Sequence, residues 1–328
     1  MRIRMAATAL AVFLVVAVVA NPQWAAAQDA YPSRPVRVLL SLPAGSAPDI
    51  RMRIIAAQLT TQWGRQVVVE SHAGAGGALS VQALLSAPAD GYTLLSTVSS
   101  VFTVLPAQRG SNLRFDVNRD LVPIALTSAE GMVLAVSSKL GVNSLADFIT
   151  LAKAQPDKFI IGTNPAGSLP HLAGRLFASL SKAPVTVVPY TTGGTNEAIR
   201  EILGGRIHGV VEARIGLKPY LDSGDLKALA IMSRERVTTA PDLPTAIETV
   251  PGLVAIGFTG IVAPRGMSDV IVQRLAASIR QALEVPEVKS RLEQTGTPFQ
   301  PLFTGDFARF IEGEQKLWWP VVKEAGLN

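Results

Sequence analysis

One pattern limits what this chain can fold into more than any other. Four times, a short β-branched or leucine-rich run leads through a loop rich in Gly, Ser or Pro toward a segment of helical character. The first unit runs from Val36-Arg37-Val38-Leu39-Leu40 through Pro43-Ala44-Gly45-Ser46-Ala47-Pro48 to a helix opened by Asp49. Ile50, Ile54, Ile55 and Leu59 lie near one face of that helix, and Gly64 is its natural stop. The second unit joins Val67-Val68-Val69-Glu70 through His72-Ala73-Gly74-Ala75-Gly76-Gly77 to a helix over 78–86. The third places Phe159-Ile160-Ile161 before a loop over 162–170, and the fourth places Val185-Thr186-Val187-Val188 before a loop over 190–196. Strands alternating with helices predict an α/β fold of mainly parallel sheets flanked by helices, in which ligands sit beyond the carboxyl ends of the strands. All four loops lie at that end. Two belong to the N-terminal part and two to the middle, so a two-domain arrangement brings them together across a cleft.

Length supports two domains. The first residues read as an export signal: Arg2 and Arg4, an apolar run from Met5 to Ala20, Pro22, and small residues at Ala25-Ala26-Ala27, with cleavage expected after Ala27. The run is shorter than the roughly 20 apolar residues of a spanning helix. The rest of the 328 residues exceeds a usual single core. Two apolar runs, Leu121 to Leu126 and Met132 to Val136, flank Thr127-Ser128-Ala129-Glu130-Gly131 and suit a crossing segment; Val254 to Val262 suits a strand returning from the second domain. The expected division is residues 1–27 as signal peptide, 28–130 with 254–328 as domain 1, and 131–253 as domain 2. Ser144-Leu145-Ala146-Asp147 opens a helix over 145–154 in the manner of a capping box. The tail is helical over 270–283, after Pro286 and over 306–323.

Most chemistries are excluded by what these loops lack. Leu79 stands where G-x-G-x-x-G needs its third glycine, and no phosphate-loop motif is present, so dinucleotide and phosphoryl-transfer sites are not expected. Ser168 and His171 lie three residues apart without a G-x-S-x-G elbow or a visible third member, so no catalytic residue is assigned. His72, His171 and His208 are scattered and there is no cysteine, which leaves no metal-ligand spacing. The net charge of +5 includes Arg2 and Arg4, and no run of Lys or Arg marks a nucleic-acid surface. What survives is anion binding. Glycines before a helix let a ligand approach backbone N–H groups at the helix's positive end, which gives Gly74, Ala75, Gly76 and Gly77 a role beyond turning the chain. None of the four loops carries Lys or Arg. Asp49 serves equally well as a helix cap, and Trp318 and Trp319 suit packing.

Several segments together resemble one known family over nearly the whole mature length. They include Tyr31-Pro32-Ser33-Arg34-Pro35-Val36-Arg37, Pro43-x-Gly45-x-Ala47-x-Asp49, Gly74-Ala75-Gly76-Gly77 and Ala89-Asp90-Gly91-Tyr92-Thr93-Leu94-Leu95. Gly167-Ser168-x-x-His171-Leu172-Ala173-Gly174, Val188-Pro189-Tyr190 and Pro241-Asp242-Leu243-Pro244-Thr245 follow in order. The chain resembles the Bug-type receptors of tripartite tricarboxylate transport systems. The resemblance implies a periplasmic-binding-protein fold of the two-domain, Venus-flytrap, type II kind, and a small organic carboxylate bound in the cleft for uptake or sensing. It implies ligand contacts from Gly45, Ser46, Asp49, Gly74, Ala75, Gly76 and Gly77 on one side and from Ser168, His171, Tyr190, Thr192, Gly193 and Glu212 on the other. It further implies a periplasmic monomer that is not an enzyme and has no cofactor or metal, serving the membrane subunits of a transporter or a sensor; the rival reading is an enzyme acting on a small carboxylate at the same cleft. The chain departs from the family at Ala44, Ser46 and Pro48, in a longer stretch after Tyr190 that lacks the customary Lys or Arg, and at Glu212-Ala213-Arg214-Ile215. Arg51 and Arg214 are left without an assigned role.

Overall fold

The computed structural model describes residues 31–42, 44–109, 113–191, 194–295 and 300–324. The expected signal peptide, Thr192 and Gly193 lie outside them. Among the described residues nine strands form one continuous sheet: β1 (Val36–Leu40), β2 (Val67–Ser71), β3 (Thr93–Val98), β4 (Leu121–Ser137), β5 (Phe159–Thr163), β6 (Val185–Pro189), β7 (Gly209–Ala213), β8 (Leu226–Ile231) and β9 (Ile256–Pro264). The longer helices are α1 (Ala47–Trp63), α2 (Ala78–Leu85), α3 (Leu145–Ala154), α4 (Leu169–Ser181), α5 (Gly194–Leu203), α6 (Arg214–Asp222), α7 (Asp269–Glu284), α8 (Pro286–Gln294) and α9 (Thr304–Glu324). The strand order is β2-β1-β3-β9-β4-β7-β5-β6, with β8 also paired to β4.

Each half of the sheet is covered on both faces. In the half built on β1–β3, Val38 and Leu40 pack with Met52, Ile55 and Leu59 of α1 and Leu275 and Ile279 of α7, while Leu39 and Leu95 pack oppositely with Val81, Leu84, Phe102 and Phe307. In the half built on β5–β7 the alternation of β4 divides in the same way: Leu134 and Val136 join Phe148, Phe159 and Phe177, and Val133 and Ala135 join Ala198, Ile199 and Leu217. Period-two burial on both faces accounts for the continuous apolar runs in these strands.

The two apolar runs over 121–136 are one strand rather than two. Thr127 and Ser128 are buried in it because their hydroxyls meet that of Thr259 on β9, at 3.1 and 2.8 Å. The pairing of β4 with β9 shifts register between Leu126 and Ser128, at the middle of the crossing. Helix α1 likewise begins earlier than expected. It starts at Ala47 behind Ser46, and Asp49 sits in its first turn, where its carboxylate accepts the Gly45 N–H at 2.8 Å.

Candidate ligand cleft

Strand directions decide where the four loops meet. β1, β2 and β3 are mutually parallel; β3 is antiparallel to β9, β9 to β4, and β4 to β7, while β5, β6 and β7 are parallel to one another. The carboxyl ends of the two parallel sets therefore point toward each other. Val98 at the end of β3 is aligned through Thr259 with Ser128, and Ala213 at the end of β7 is aligned with Met132. Four residues of β4 separate those positions, about 13 Å at strand rise. The loops after β1 and β2 form one wall of this crevice, and those after β5, β6 and β7 form the other.

The first wall is built from backbone. Ser71 Oγ donates to the Leu42 carbonyl at 2.9 Å and the His72 N–H to the Leu40 carbonyl at 2.8 Å, which holds the two loops side by side. Gly74, Ala75, Gly76 and Gly77 have φ of 144°, 48°, 65° and 97°, and the Gly77 N–H closes the turn onto the Gly74 carbonyl at 2.9 Å. Gly77 has no alternative: a Cβ there would lie 2.5 Å from Val101 Cγ2. Ala75 and Gly76 are exposed at the tip, just ahead of the first turn of α2. Gly45 also takes a positive φ, 80°. Asp49 is buried; burial opposes its charge, yet the Arg53 guanidinium at 3.0 Å and the Gly45 N–H hold its carboxyl below the usual range. It shapes the loop and is already paired. His72 stands 3.7 Å from Glu70, which Arg37 grips with two hydrogen bonds.

The second wall is held by side chains. Glu212, at the end of β7, accepts from Asn164 Nδ2 at 2.5 Å, from Thr195 Oγ1, and from the Ala213 N–H at 2.7 Å. Asn164 Oδ1 in turn accepts the Thr195 N–H at 3.1 Å. One carboxylate thus ties together the loop after β5, the start of α5 and the start of α6. Burial pushes the Glu212 carboxyl up, the three hydrogen bonds oppose that, and the nearby Glu130 charge adds to it. Ser168 caps α4, with its Oγ 3.4 Å from the His171 N–H. The His171 ring is buried, and its Nδ1 accepts the Gly167 N–H at 3.3 Å, so it braces the loop from within. Burial and Arg175 lower its pKa, leaving the neutral ring as acceptor. The Tyr190 ring lies against Gly162, and its neighbours Glu201 and Arg206 are at the far end of α5.

Asn164 and Thr195 were not singled out from sequence. An Asn and a Thr following β5 and opening α5 are ordinary loop residues until the third partner, far along the chain, is known. Arg51 also finds its place. Its side chain is 7% exposed and reaches Glu130 Oε1 at 3.3 Å, Ser128 Oγ at 3.2 Å and the Thr295 carbonyl at 2.5 Å. It joins the first turn of α1 to the crossing strand, beside a cavity of about 1170 Å³ also lined by Ser233, Arg234, Arg280 and Lys289. The second Glu130 oxygen is buried without a hydrogen-bond partner. Arg214 forms no ion pair among the described residues. No group of metal-ligating side chains and no helix able to cross a membrane occurs among the described residues.

Known proteins resemble this chain in sequence and in fold. BugT of Bordetella pertussis is 33% identical over 320 residues, covering 97% of this chain and 96% of its own. An R. palustris protein solved with adipate superposes with a TM-score of 0.76 at 28% identity, covering 90% of this chain and 98% of that one. MatC from Rhodopseudomonas palustris with bound malate gives 0.70 at 27% identity, covering 89% and 100%. The fold is that of two-domain periplasmic binding proteins. Residues 51–327 match the model of the tripartite tricarboxylate transporter family receptor, and the chain belongs to that family.

Proposed function

We propose that this chain is an exported receptor, mature from Gln28, that captures a small organic carboxylate between its two domains and releases it unchanged. The observation that carries the reading is the Gly74–Gly77 turn. It places a run of left-handed residues, without an acidic side chain, ahead of the first turn of α2 and facing the opposite wall. Such a turn offers N–H groups and a positive helix end to an anion. Gly45 and Ser46 flank it from the neighbouring loop, and Ser168 stands at the start of α4 on the other wall. The adipate and malate held by two relatives support a carboxylate as the ligand class. In this reading residues 28–130 with 254–328 form one closing lobe and 131–253 the other, and the monomer serves membrane subunits of a transporter or a sensor.

The test is a thermal-shift panel of monocarboxylates, dicarboxylates, amides and sugars on the purified mature protein. A ligand at about 100 times its Kd stabilises the native state by roughly 2.7 kcal/mol. A carboxylate is expected to raise the melting temperature and to be recovered intact after incubation. Stabilisation by a sugar or a simple amide, with none from any carboxylate, refutes the anion site; conversion of the ligand refutes the receptor.

A further inference from the structure

Arg51 stands where the two walls are joined. It lies near the start of α1, two residues beyond Asp49, whose carboxylate accepts the Gly45 N–H and so fixes the first-wall loop. On the crossing strand, Ser128 is aligned through Thr259 with the end of β3, and Met132 is aligned with the end of β7. The stretch of β4 between them sets how the two walls face each other. Arg51 grips that stretch twice: Nη1 donates to Ser128 Oγ at 3.2 Å, and Nη1 and Nη2 both donate to Glu130 Oε1 at 3.3 Å. Ser128 Oγ is in turn 2.8 Å from Thr259 Oγ1, which meets Thr127 Oγ1 at 3.1 Å. The guanidinium is thus tied to a buried hydroxyl chain that runs across β4 and β9 at their register shift. The end of α8 supplies a further hold, Thr295 Oγ1 at 3.2 Å from Nε.

The ion pair is buried, with side chains 7% and 14% exposed, but it is not fully made. Arginine and carboxylate pair most strongly when two nitrogens meet two oxygens. Here both nitrogens share one oxygen at 3.3 Å, and Glu130 Oε2 is buried without a partner among the described residues. A small backbone change over 128–131 brings the second oxygen onto the fork. Hinges absorb closure in a few residues of this kind. The cavity of about 1170 Å³ beside the pair is lined by Arg51 and Glu130 but by no residue of the Gly45–Asp49 or Gly74–Gly77 segments.

Resting on the reading of the crevice as a carboxylate site between closing lobes, we propose that Arg51 and Glu130 form its latch. They are a positioning pair that completes its second hydrogen bond when the walls close, and so holds the closed form without touching the ligand. Ligand leaves through the open form, so the latch contributes to affinity by slowing release.

The experiment takes the mature protein and the carboxylate that gives the largest thermal shift, with calorimetric titration for Kd and stopped flow for the rates. Arg51→Met/Glu130→Gln removes both charges together and leaves neither buried alone. It is expected to bind about tenfold more weakly. The loss is expected in the dissociation rate, with association within about twofold of wild type. Arg51→Ala is expected to show a similar loss and to regain most of it in millimolar guanidinium, which enters through the cavity; the double variant gains nothing from guanidinium. A role confined to stability lowers the melting temperature and leaves the dissociation rate and the guanidinium response flat. A folded double variant that binds and releases as wild type does overturns the inference and leaves the carboxylate reading intact. So does a loss carried by association alone, or a folded Arg51→Ala protein that guanidinium does not rescue. If neither variant folds, amide exchange in the wild type decides: ligand is expected to slow exchange over 128–131, and unchanged exchange overturns the latch. If no carboxylate binds at all, the functional reading fails and the latch falls with it.

Discussion

The two walls of the crevice are held in shape by different means. The Gly74–Gly77 wall is fixed by backbone conformation, with four consecutive residues at positive φ and a turn closed by its own N–H. The wall around Glu212 is fixed by a side chain that gathers three loops which the main chain leaves separate. A wall made by φ spends the Gly77 N–H on its own turn and keeps side chains out of the loop, but cannot accept a Cβ at its tightest point. A wall made by a carboxylate tolerates ordinary backbone geometry but has used some of its donors on itself.

Four substitutions test that contrast, from the largest expected effect to the smallest. Gly77→Val combines a forbidden φ with a Cβ 2.5 Å from Val101 Cγ2, and is expected to cost about 3 kcal/mol in urea unfolding. A loss under about 1 kcal/mol would mean that the turn is not fixed by its backbone. Glu212→Ala removes the acceptor of three donors, and a loss of about 2 kcal/mol is expected, since each abandoned donor carries a desolvation cost. Unchanged stability would show that the three loops hold their places without it. Gly76→Ala isolates strain from crowding: φ is 65°, but the nearest atom to a new Cβ is Leu105 Cδ1 at 3.8 Å. The expected stability cost is about 1 kcal/mol, and ligand affinity is expected to fall through the altered turn. Equal costs for Gly76→Ala and Gly77→Val would erase the distinction between strain and crowding.

The smallest effect concerns pH. Burial lowers the His171 pKa, so its contribution is fully present above the ordinary histidine value and is lost as pH falls through the folded value. His208 is shifted in the same direction, while Glu212 and Glu314 are shifted upward and gain as pH falls. The informative quantity is therefore the difference between wild type and His171→Asn, each unfolded in urea between pH 8 and pH 5. The variant is expected to lose less stability on acidification; a parallel pair of curves would remove His171 from the account.

The strand-loop-helix units were legible in the sequence because their causes are local: β-branched runs, glycine turns and helical periodicity. The Ser144 cap was legible too: its Oγ accepts the Asp147 N–H at 3.0 Å, but the Asp147 carboxylate accepts from the Asn143 N–H rather than closing a box onto Ser144. What escaped depends on partners far along the chain. Thr127-Ser128 looks like a loop until the Thr259 hydroxyl is placed beside it, which turns a polar interruption into the centre of β4. Asp49 reads as a helix opener because its bond back to Gly45 cannot be told from a cap by composition. Glu212 was singled out through the resemblance, but its bonds to Asn164 and Thr195 span 48 and 17 residues. No periodicity encodes them. Arg51 has no readable role in the sequence for the same reason, since its partner Glu130 lies 79 residues on.

Helix α9 has a consequence for how the chain reaches this state. Its first half places Phe307 and Ile311 in the cluster with Leu39 of β1 and Leu95 of β3, and its second half places Trp318 and Val322 in the cluster with Leu134 of β4, Phe159 of β5 and Val211 of β7. Between them Glu314, fully buried, accepts from Arg234 at 3.1 Å and from Trp318 Nε1 at 3.2 Å. Both clusters are closed by this one helix, so they are not independent of each other: docking of the Phe307–Val322 segment completes the two together, and its displacement would open both at once.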